Sequence, residues 1–135
     1  MAVQFLKVRL TGEVIVVAFD ICSSSDIVEE FTLKSDLPRL QRFLTALKRY
    51  LMAEQQKVVF DPYKFTGDGW ILLFPANTEG AQLLRFLTEL CAFFKKEFKK
   101  DVLRYLDTPP KLTGITFGLE KGLLGALKMF GRIEY

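Results

Sequence analysis

The order of apolar and polar residues divides the first half of the chain into one strand and two helices. Residues 13–20 (EVIVVAFD) form a β-branched apolar run, which predicts a buried central strand. The hydroxyl-rich stretch that follows predicts a turn and then a helix that begins near Ser24 or Ser25. A second helix is predicted over about 36–54, because leucines and a phenylalanine recur there at helical spacing.

In the second half, the pattern predicts a hairpin, a long helix and further strands. These elements are a proline-interrupted strand over 57–65, a glycine-rich turn over 66–69, a strand over 70–74, a helix over 79–106, a strand over 111–119, a turn over 120–122 and a strand-like run over 123–130. The order predicts a single α+β domain over 1–135, a ferredoxin-like βαββαβ sandwich with one antiparallel sheet, helices on one face and a C-terminal β-arm. The 13 phenylalanines predict a largely aromatic core.

Composition limits the chemistry available to such a fold. The chain has no histidine, which excludes a Cys/His zinc site and a histidine-based triad, and we expect Cys22 and Cys91 to be reduced. The net charge of +3 does not indicate nucleic acid but suits a small anionic substrate. No apolar run is long enough for a membrane span, and the first residues lack the features of a signal peptide. We therefore expect a cytoplasmic protein without a membrane partner.

Two aspartates stand where their carboxylates can meet. Asp20 ends the first predicted strand and Asp68 lies at the tip of the glycine-flanked hairpin, and these elements are neighbours in a ferredoxin-like sheet. A close pair of carboxylates repels unless a cation neutralises it, and Mg²⁺ or Mn²⁺ prefers oxygen ligands. The pair therefore predicts a site for divalent cations. The alternative is structural, with Asp20 as a helix cap and Asp68 as a turn former.

The turn over 22–25 (CSSS) places anion-binding groups beside Asp20. Backbone amides at the amino end of a helix bind anions and serine hydroxyls add donors, so the turn can cradle a triphosphate. The alternative is a helix cap with additional serines. Asp26, Glu29 and Glu30 are interpreted as charges at the helix start that favour its dipole.

Three segments resemble motifs of the class III adenylate and guanylate cyclases. VVAFDICSSSDIVEEF resembles their first metal motif, F-x-D-I-x-G-F-T or a serine-rich variant, and KFTGDGWILLFP resembles the second, K-x-x-G-D followed by a strand. TGITFGLEKGLLGALKMFGRIEY is similar to their later β–turn–β arm, with G-x-x-x-G glycines and an R-x-[DE]-Y ending. The three segments occur in the family's order and cover most of the chain.

The resemblance implies a cyclase that makes a 3′,5′-cyclic nucleotide, such as cyclic AMP, and pyrophosphate from a nucleoside triphosphate. Asp20 and Asp68 match the two metal-binding and catalytic aspartates, and the backbone carbonyl of Ile21 matches a further metal ligand. Two Mg²⁺ or Mn²⁺ ions would be the cofactors. They would activate the ribose 3′-hydroxyl and bind the triphosphate tail, so that no side-chain base is needed.

The resemblance also implies residues that bind the substrate. Ser23, Ser24 and Ser25 fall where the family's G-F-T turn binds phosphate, with Ser23 in place of the glycine. Lys64 stands three residues before Gly67, at the position of the family's base-contacting lysine. Such cyclases are head-to-tail homodimers with active sites at the interface, so Lys64 would serve the site of the other protomer.

Compared with the family pattern, the sequence stops at Arg132-Ile133-Glu134-Tyr135, before a second base-selecting position, a ribose-positioning asparagine, a transition-state arginine and the last helix and strand. We expect nucleotide and metal binding to be stronger than turnover. One alternative is a catalytically impaired cyclase-fold module that binds nucleotide or dimerises. Another is a palm-type cyclic oligonucleotide synthase, although the hairpin lacks the GG[DE][DE] signature of diguanylate cyclases. ATP, GTP, UTP and CTP all stay open as substrates, the pyrimidines because bacterial antiphage cyclases resemble the same family.

Overall fold

The computed structural model describes residues 5–8, 10, 12–124, 127–129 and 132–134 as an α+β structure. Its elements are β1 (Gly12–Ile21), α1 (Ser24–Leu33), α2 (Leu37–Glu54), β2 (Asp61–Phe65), β3 (Gly69–Pro75), α3 (Gly80–Asp101), a short 3₁₀ helix (Leu103–Tyr105), β4 (Ile115–Leu124), β5 (Leu127–Met129) and β6 (Arg132–Glu134). The predicted α+β class is confirmed. None of the described helices combines the length and the apolar character needed to cross a bilayer.

Four strands form one antiparallel sheet in the order β2-β3-β1-β4. β1 lies inside this sheet, between β3 and β4, and β5 pairs with β6 in a separate two-stranded sheet. Helical connections lead from β1 to β2 and from β3 to β4, and β2 and β3 form a hairpin. This arrangement is compatible with a ferredoxin-like sandwich. It brings the end of β1 beside the turn of the hairpin.

Several predicted boundaries differ from the structure. Strand β2 begins only at Asp61 and β4 only at Ile115, and α3 ends at Asp101, where the short 3₁₀ helix follows. The turn predicted over 120–122 is wrong, because β4 continues through it and pairs there with residues 14–16 of β1. Pairing along a neighbouring strand outweighs the local turn preference of a Glu-Lys-Gly sequence. Parts of the predicted arm, residues 125, 126, 130, 131 and 135, lie outside the described residues.

The helices pack on one face of the sheet around an aromatic core, as the phenylalanine content predicted. Two groups of three rings have centroids 5.1–5.8 Å apart: Phe43, Phe94 and Phe98, and Phe60, Phe74 and Phe86. From β1, Val17, Phe19 and Ile21 point into this core. Successive side chains of a strand point to opposite faces, so Ala18 and Asp20 lie on the other face of the sheet, called here the outer face.

Hydrogen bonds to Glu30 connect helix α1 to the segment between α3 and β4. Its carboxylate accepts hydrogen bonds from the amides of Asp107 (2.8 Å) and Thr108 (2.9 Å) and pairs with Lys34 (2.8 Å). The bond from Lys34, followed by those from Thr108, lowers the pKa of Glu30 to about 2. Glu30 lies near the end of α1, so its interpretation as a helix-start charge is wrong, and Asp26 alone is an acidic residue of the first turn.

The Glu30→Gln variant is expected to have a flatter acid branch in its stability profile than the wild-type chain. A carboxyl whose pKa is depressed by folding stabilises the fold above its unfolded pKa of about 4.3. This contribution is lost as the pH falls through that value toward the folded pKa of about 2. Urea denaturation at a series of pH values between these limits measures the slope.

The matched control for this prediction is Glu29→Gln, on the same helix. The Glu29 side chain is exposed and has no hydrogen bond or ion pair with another described residue. Glu29→Gln should retain the wild-type dependence of the unfolding free energy on pH. If Glu30→Gln retained it too, the depressed pKa assigned to Glu30 would be contradicted.

Candidate active site

Asp20 and Asp68 lie at one cleft on the outer face of the sheet. The cleft has a volume of about 370 Å³, and both aspartates line it. Asp20 stands opposite Gly69 in the ladder between β1 and β3, and Asp68 directly precedes that glycine. The amide of Ile21 donates a hydrogen bond of 3.0 Å to the carbonyl oxygen of Asp68. The structure therefore places the two aspartates that the sequence singled out at one cleft, where the end of β1 meets the hairpin turn.

Two glycines shape the hairpin that carries Asp68. Gly67 has a φ of +101°, a conformation that residues with a side chain rarely adopt. At Gly69, a Cβ atom would lie 1.8 Å from the carbonyl oxygen of Phe19 and 2.7 Å from its carbonyl carbon. Strand β3 therefore approaches β1 more closely than any other residue type would permit. This approach holds the hairpin turn, and with it Asp68, against the end of β1.

Hydroxyl groups from three different elements hold the two carboxylates. The hydroxyl of Ser24, at the start of α1, donates to Oδ2 of Asp68 at 2.8 Å, and that of Thr66 donates to Oδ1 at 3.5 Å. The hydroxyl of Thr116, on β4, donates to Oδ1 of Asp20. An ionised carboxylate accepts about four hydrogen bonds or ligands, so these contacts orient the oxygens and leave further lone pairs available. Sequence reasoning did not identify Thr116, because only the β1–β4 register places it opposite Asp20.

The donor set at this cleft fits a hard cation that is shared with a bound phosphate. The described residues contain no group of three or more His, Cys, Asp or Glu side chains that could enclose a metal ion. What the cleft offers is a pair of carboxylates, Asp20 and Asp68, next to the main chain of Ile21. Mg²⁺ is commonly held by one or two carboxylates together with substrate phosphates and water, so this small oxygen set fits such an ion.

The serine turn connects β1 to α1 beside the cleft, and its three hydroxyls face different surroundings. Ser23 has a left-handed conformation with φ 58°, as expected at the position where the cyclase motif has glycine. Its hydroxyl donates to the carbonyl oxygen of Leu112 at 3.0 Å, so it holds the loop before β4 and does not cap α1. Ser24 contacts Asp68, and Ser25 is exposed. The first amides of α1 have no carbonyl partner within the helix, which favours anion binding at this end.

Lys64 lies on β2, close to the cleft but not in its lining. Its cross-strand partner on β3, Ile71, lines the cleft. Ala18 of β1, which pairs with Ile71 on the other side, lines it as well. The Lys64 side chain is exposed. Trp70 also lines the cleft, but it is only 4% exposed and belongs to the core cluster.

No protein-family model matches this chain, and no curated protein sequence matches it either. The resemblance to class III cyclases therefore rests on the three sequence motifs. The geometry of the cleft is independent of that resemblance.

Proposed function

We propose that this chain is a nucleotidyl cyclase domain, which converts a nucleoside triphosphate into a 3′,5′-cyclic nucleotide and pyrophosphate with the help of divalent cations. The observation that carries the proposal is that Asp20 and Asp68 share one cleft beside the amino end of α1. Such a site has carboxylates for cations and amides for phosphates side by side. The strand order also supports the finer proposal of a ferredoxin-like, palm-type sandwich.

The proposed reaction is attack of the ribose 3′-oxygen on the α-phosphorus. The new P–O bond closes the cyclic ester, the bond from the α-phosphorus to the pyrophosphate oxygen breaks, and the hydroxyl proton passes to water. Divalent cations bound at the cleft would lower the pKa of the 3′-hydroxyl and neutralise charge on the leaving group. Asp20, Asp68 and the Ile21 carbonyl are proposed to hold them. The first amides of α1 and the Ser25 hydroxyl are proposed to bind the triphosphate tail.

Thr116 and Ser24 are positioning residues in this proposal, because each acts through an aspartate. Each hydroxyl restricts the orientation of one carboxylate and so reduces the freedom that the carboxylate loses when a cation binds. Such hydrogen bonds to ligand side chains typically affect metal affinity tenfold or more.

The Thr116→Val variant is expected to bind Mn²⁺ about tenfold more weakly than wild type, in the presence of a non-hydrolysable nucleoside triphosphate. Valine preserves the shape of threonine but cannot donate to Oδ1 of Asp20. Electron paramagnetic resonance of free Mn²⁺ gives the affinity directly, without turnover. Thr116→Ser retains the hydroxyl and should stay close to wild type. Wild-type affinity in Thr116→Val, or a loss confined to Thr116→Ser, would show that the hydrogen bond does not matter.

The chain is further proposed to act as a head-to-tail homodimer. Lys64 is exposed on the outer face. Its cross-strand neighbour Ile71 lines the cleft, whereas Lys64 itself does not. This placement supports a role for the lysine in contacting the base bound by the other protomer. A two-fold arrangement would then give each protomer half of two equivalent sites.

The proposal is tested by incubating the purified chain with ATP, GTP, UTP and CTP separately, in Mn²⁺, and identifying the products by mass spectrometry. A 3′,5′-cyclic mononucleotide formed in equimolar amount with pyrophosphate is the expected result. Nucleotide binding is measured in parallel by calorimetry, with and without a chelator. Chelation should remove most of the affinity, because the carboxylates repel an unscreened triphosphate.

The other outcomes of this assay point to the alternatives. Linear or cyclic dinucleotides would indicate a palm-type synthase and contradict the cyclase proposal. Metal-dependent binding of a triphosphate without any product would indicate a cyclase-fold module that binds nucleotide but does not turn it over. Absence of both binding and product would overturn the nucleotide site itself.

A further inference from the structure

A second cavity, of about 340 Å³, lies between α3 and the segment that leads into β4. Much of its wall is apolar and is formed by Phe94, Phe98, Leu103 and Ile115. No residue that lines it also lines the cleft of Asp20 and Asp68. Small-molecule sites commonly have this size and combine an apolar wall with a few convergent polar groups.

The charged groups of this cavity are two lysines on successive turns of α3. Lys95 and Lys99 are four residues apart, so they lie on one side of the helix and repel each other. Both side chains are exposed, and neither side chain forms an ion pair or hydrogen bond with another described residue. No acidic residue lines the cavity.

We propose that this cavity binds an amphipathic carboxylate, a fatty acid of short to medium chain length. Its hydrocarbon chain packs against Leu103 and Ile115, which are only partly buried in the free chain, and burial of their remaining apolar surface contributes to the affinity. Its carboxylate pairs with Lys95 and Lys99 and relieves the repulsion between them. A wholly apolar ligand would leave both charges uncompensated, and a small inorganic anion would leave the apolar wall exposed to water. The two lysines and the apolar wall together therefore favour a ligand that has both a carboxylate and a hydrocarbon chain.

The cavity is joined to the serine turn by two hydrogen bonds. The carbonyl oxygen of Gly114, a residue of the cavity wall, accepts a bond of 2.9 Å from the amide of Cys22. The carbonyl oxygen of Leu112, two residues earlier and outside the cavity lining, accepts the bond from the Ser23 hydroxyl. A ligand that packs on this wall restricts the loop and thereby slows opening of the Cys22 bond. Any effect of this ligand on nucleotide affinity rests on the proposed function. Binding of the ligand itself, and its effect on the Cys22 amide, are independent of that function.

Isothermal titration calorimetry of the chain with octanoate tests the proposal. The Lys95→Gln/Lys99→Gln double variant is expected to bind octanoate about tenfold more weakly than wild type, because it loses both charge partners. Lys96→Gln/Lys100→Gln makes the same change on the same helix at residues that do not line the cavity, and should bind as wild type does. Octanol should bind the wild-type chain about tenfold more weakly than octanoate and should be insensitive to either double variant. Equal affinity for octanol and octanoate, equal losses in both variants, or no binding to wild type would each overturn the proposal.

Cys91 provides an independent readout of occupancy, because it lines the cavity and is exposed. Octanoate is expected to slow alkylation of Cys91 by iodoacetamide, measured by mass spectrometry against the ligand-free chain, and to increase hydrogen-exchange protection of the Cys22 amide. Alkylation of Cys91 at an unchanged rate under saturating octanoate would show that the ligand binds elsewhere.

Discussion

The Asp68→Asn variant is expected to form product in Mn²⁺ at least about a hundredfold more slowly than the wild-type chain, with its fold preserved. Asparagine has nearly the same shape as aspartate and can still accept a hydrogen bond from Ser24, but it lacks the charge that attracts a divalent cation. The bond from the Ile21 amide involves the main chain and is unaffected. Loss of a direct metal ligand should exceed the ten- to hundredfold effects of groups that only orient such ligands.

Rates and triphosphate affinities in Mn²⁺ measure this effect, and circular dichroism confirms folding. Asp61→Asn is the matched control, since Asp61 lies on the same hairpin but does not line the cleft. Burial raises the pKa of Asp61, so a neutral amide there costs little. If Asp68→Asn behaved like Asp61→Asn, the metal site would be excluded and Asp68 would be a turn residue.

The second large effect is expected for Gly69→Ala, which should destabilise the fold by about 3 kcal/mol or more. The added Cβ would lie 1.8 Å from the carbonyl oxygen of Phe19. Because the obstructing atom belongs to the main chain of β1, no side-chain rotation relieves the clash, and β1 and β3 must separate. The separation would also move Asp68 away from Asp20. Urea denaturation gives the free energy of unfolding.

Gly122→Ala is the control for this prediction, because Gly122 is also a strand glycine paired with β1, but a Cβ there meets nothing within 4 Å. Its stability should equal or slightly exceed that of wild type, since alanine restricts the unfolded chain more than glycine does. A Gly69→Ala variant as stable as Gly122→Ala would contradict the close approach of β3 to β1.

Much of the candidate site could be predicted because its signals are local in sequence. Asp20 follows a β-branched run, and Asp68 stands between two glycines in a hairpin turn, so the element that carries each aspartate was readable. Helix α1 begins at Ser24, as its serine-rich start indicated. In each case the signal lies in neighbouring residues: the β-branched run for the strand, the glycines for the turn and the serines for the helix start.

Two of the errors arose where a segment distant in sequence decided the conformation or the contacts of a residue. Residues 120–122 have the composition of a turn but are extended, because β1 offers hydrogen-bond partners along their whole length. Glu30 looked like a charge at a helix start, yet it binds the amides of Asp107 and Thr108, more than seventy positions away in the chain. Neither partner can be identified from local sequence, because loop closure brings them together only in the folded chain.

By itself, the sequence determined the α+β class, the aromatic core and the two aspartates of the candidate site, because hydrophobic period and turn residues act over a few neighbouring positions. Only the tertiary structure decided that Thr116 holds Asp20, that Gly69 must lack a side chain, and that Lys95 and Lys99 border a cavity. These features depend on the register between strands and on how helices pack against loops. Register and packing are set by contacts between distant segments, and a pattern of nearby residues does not encode them.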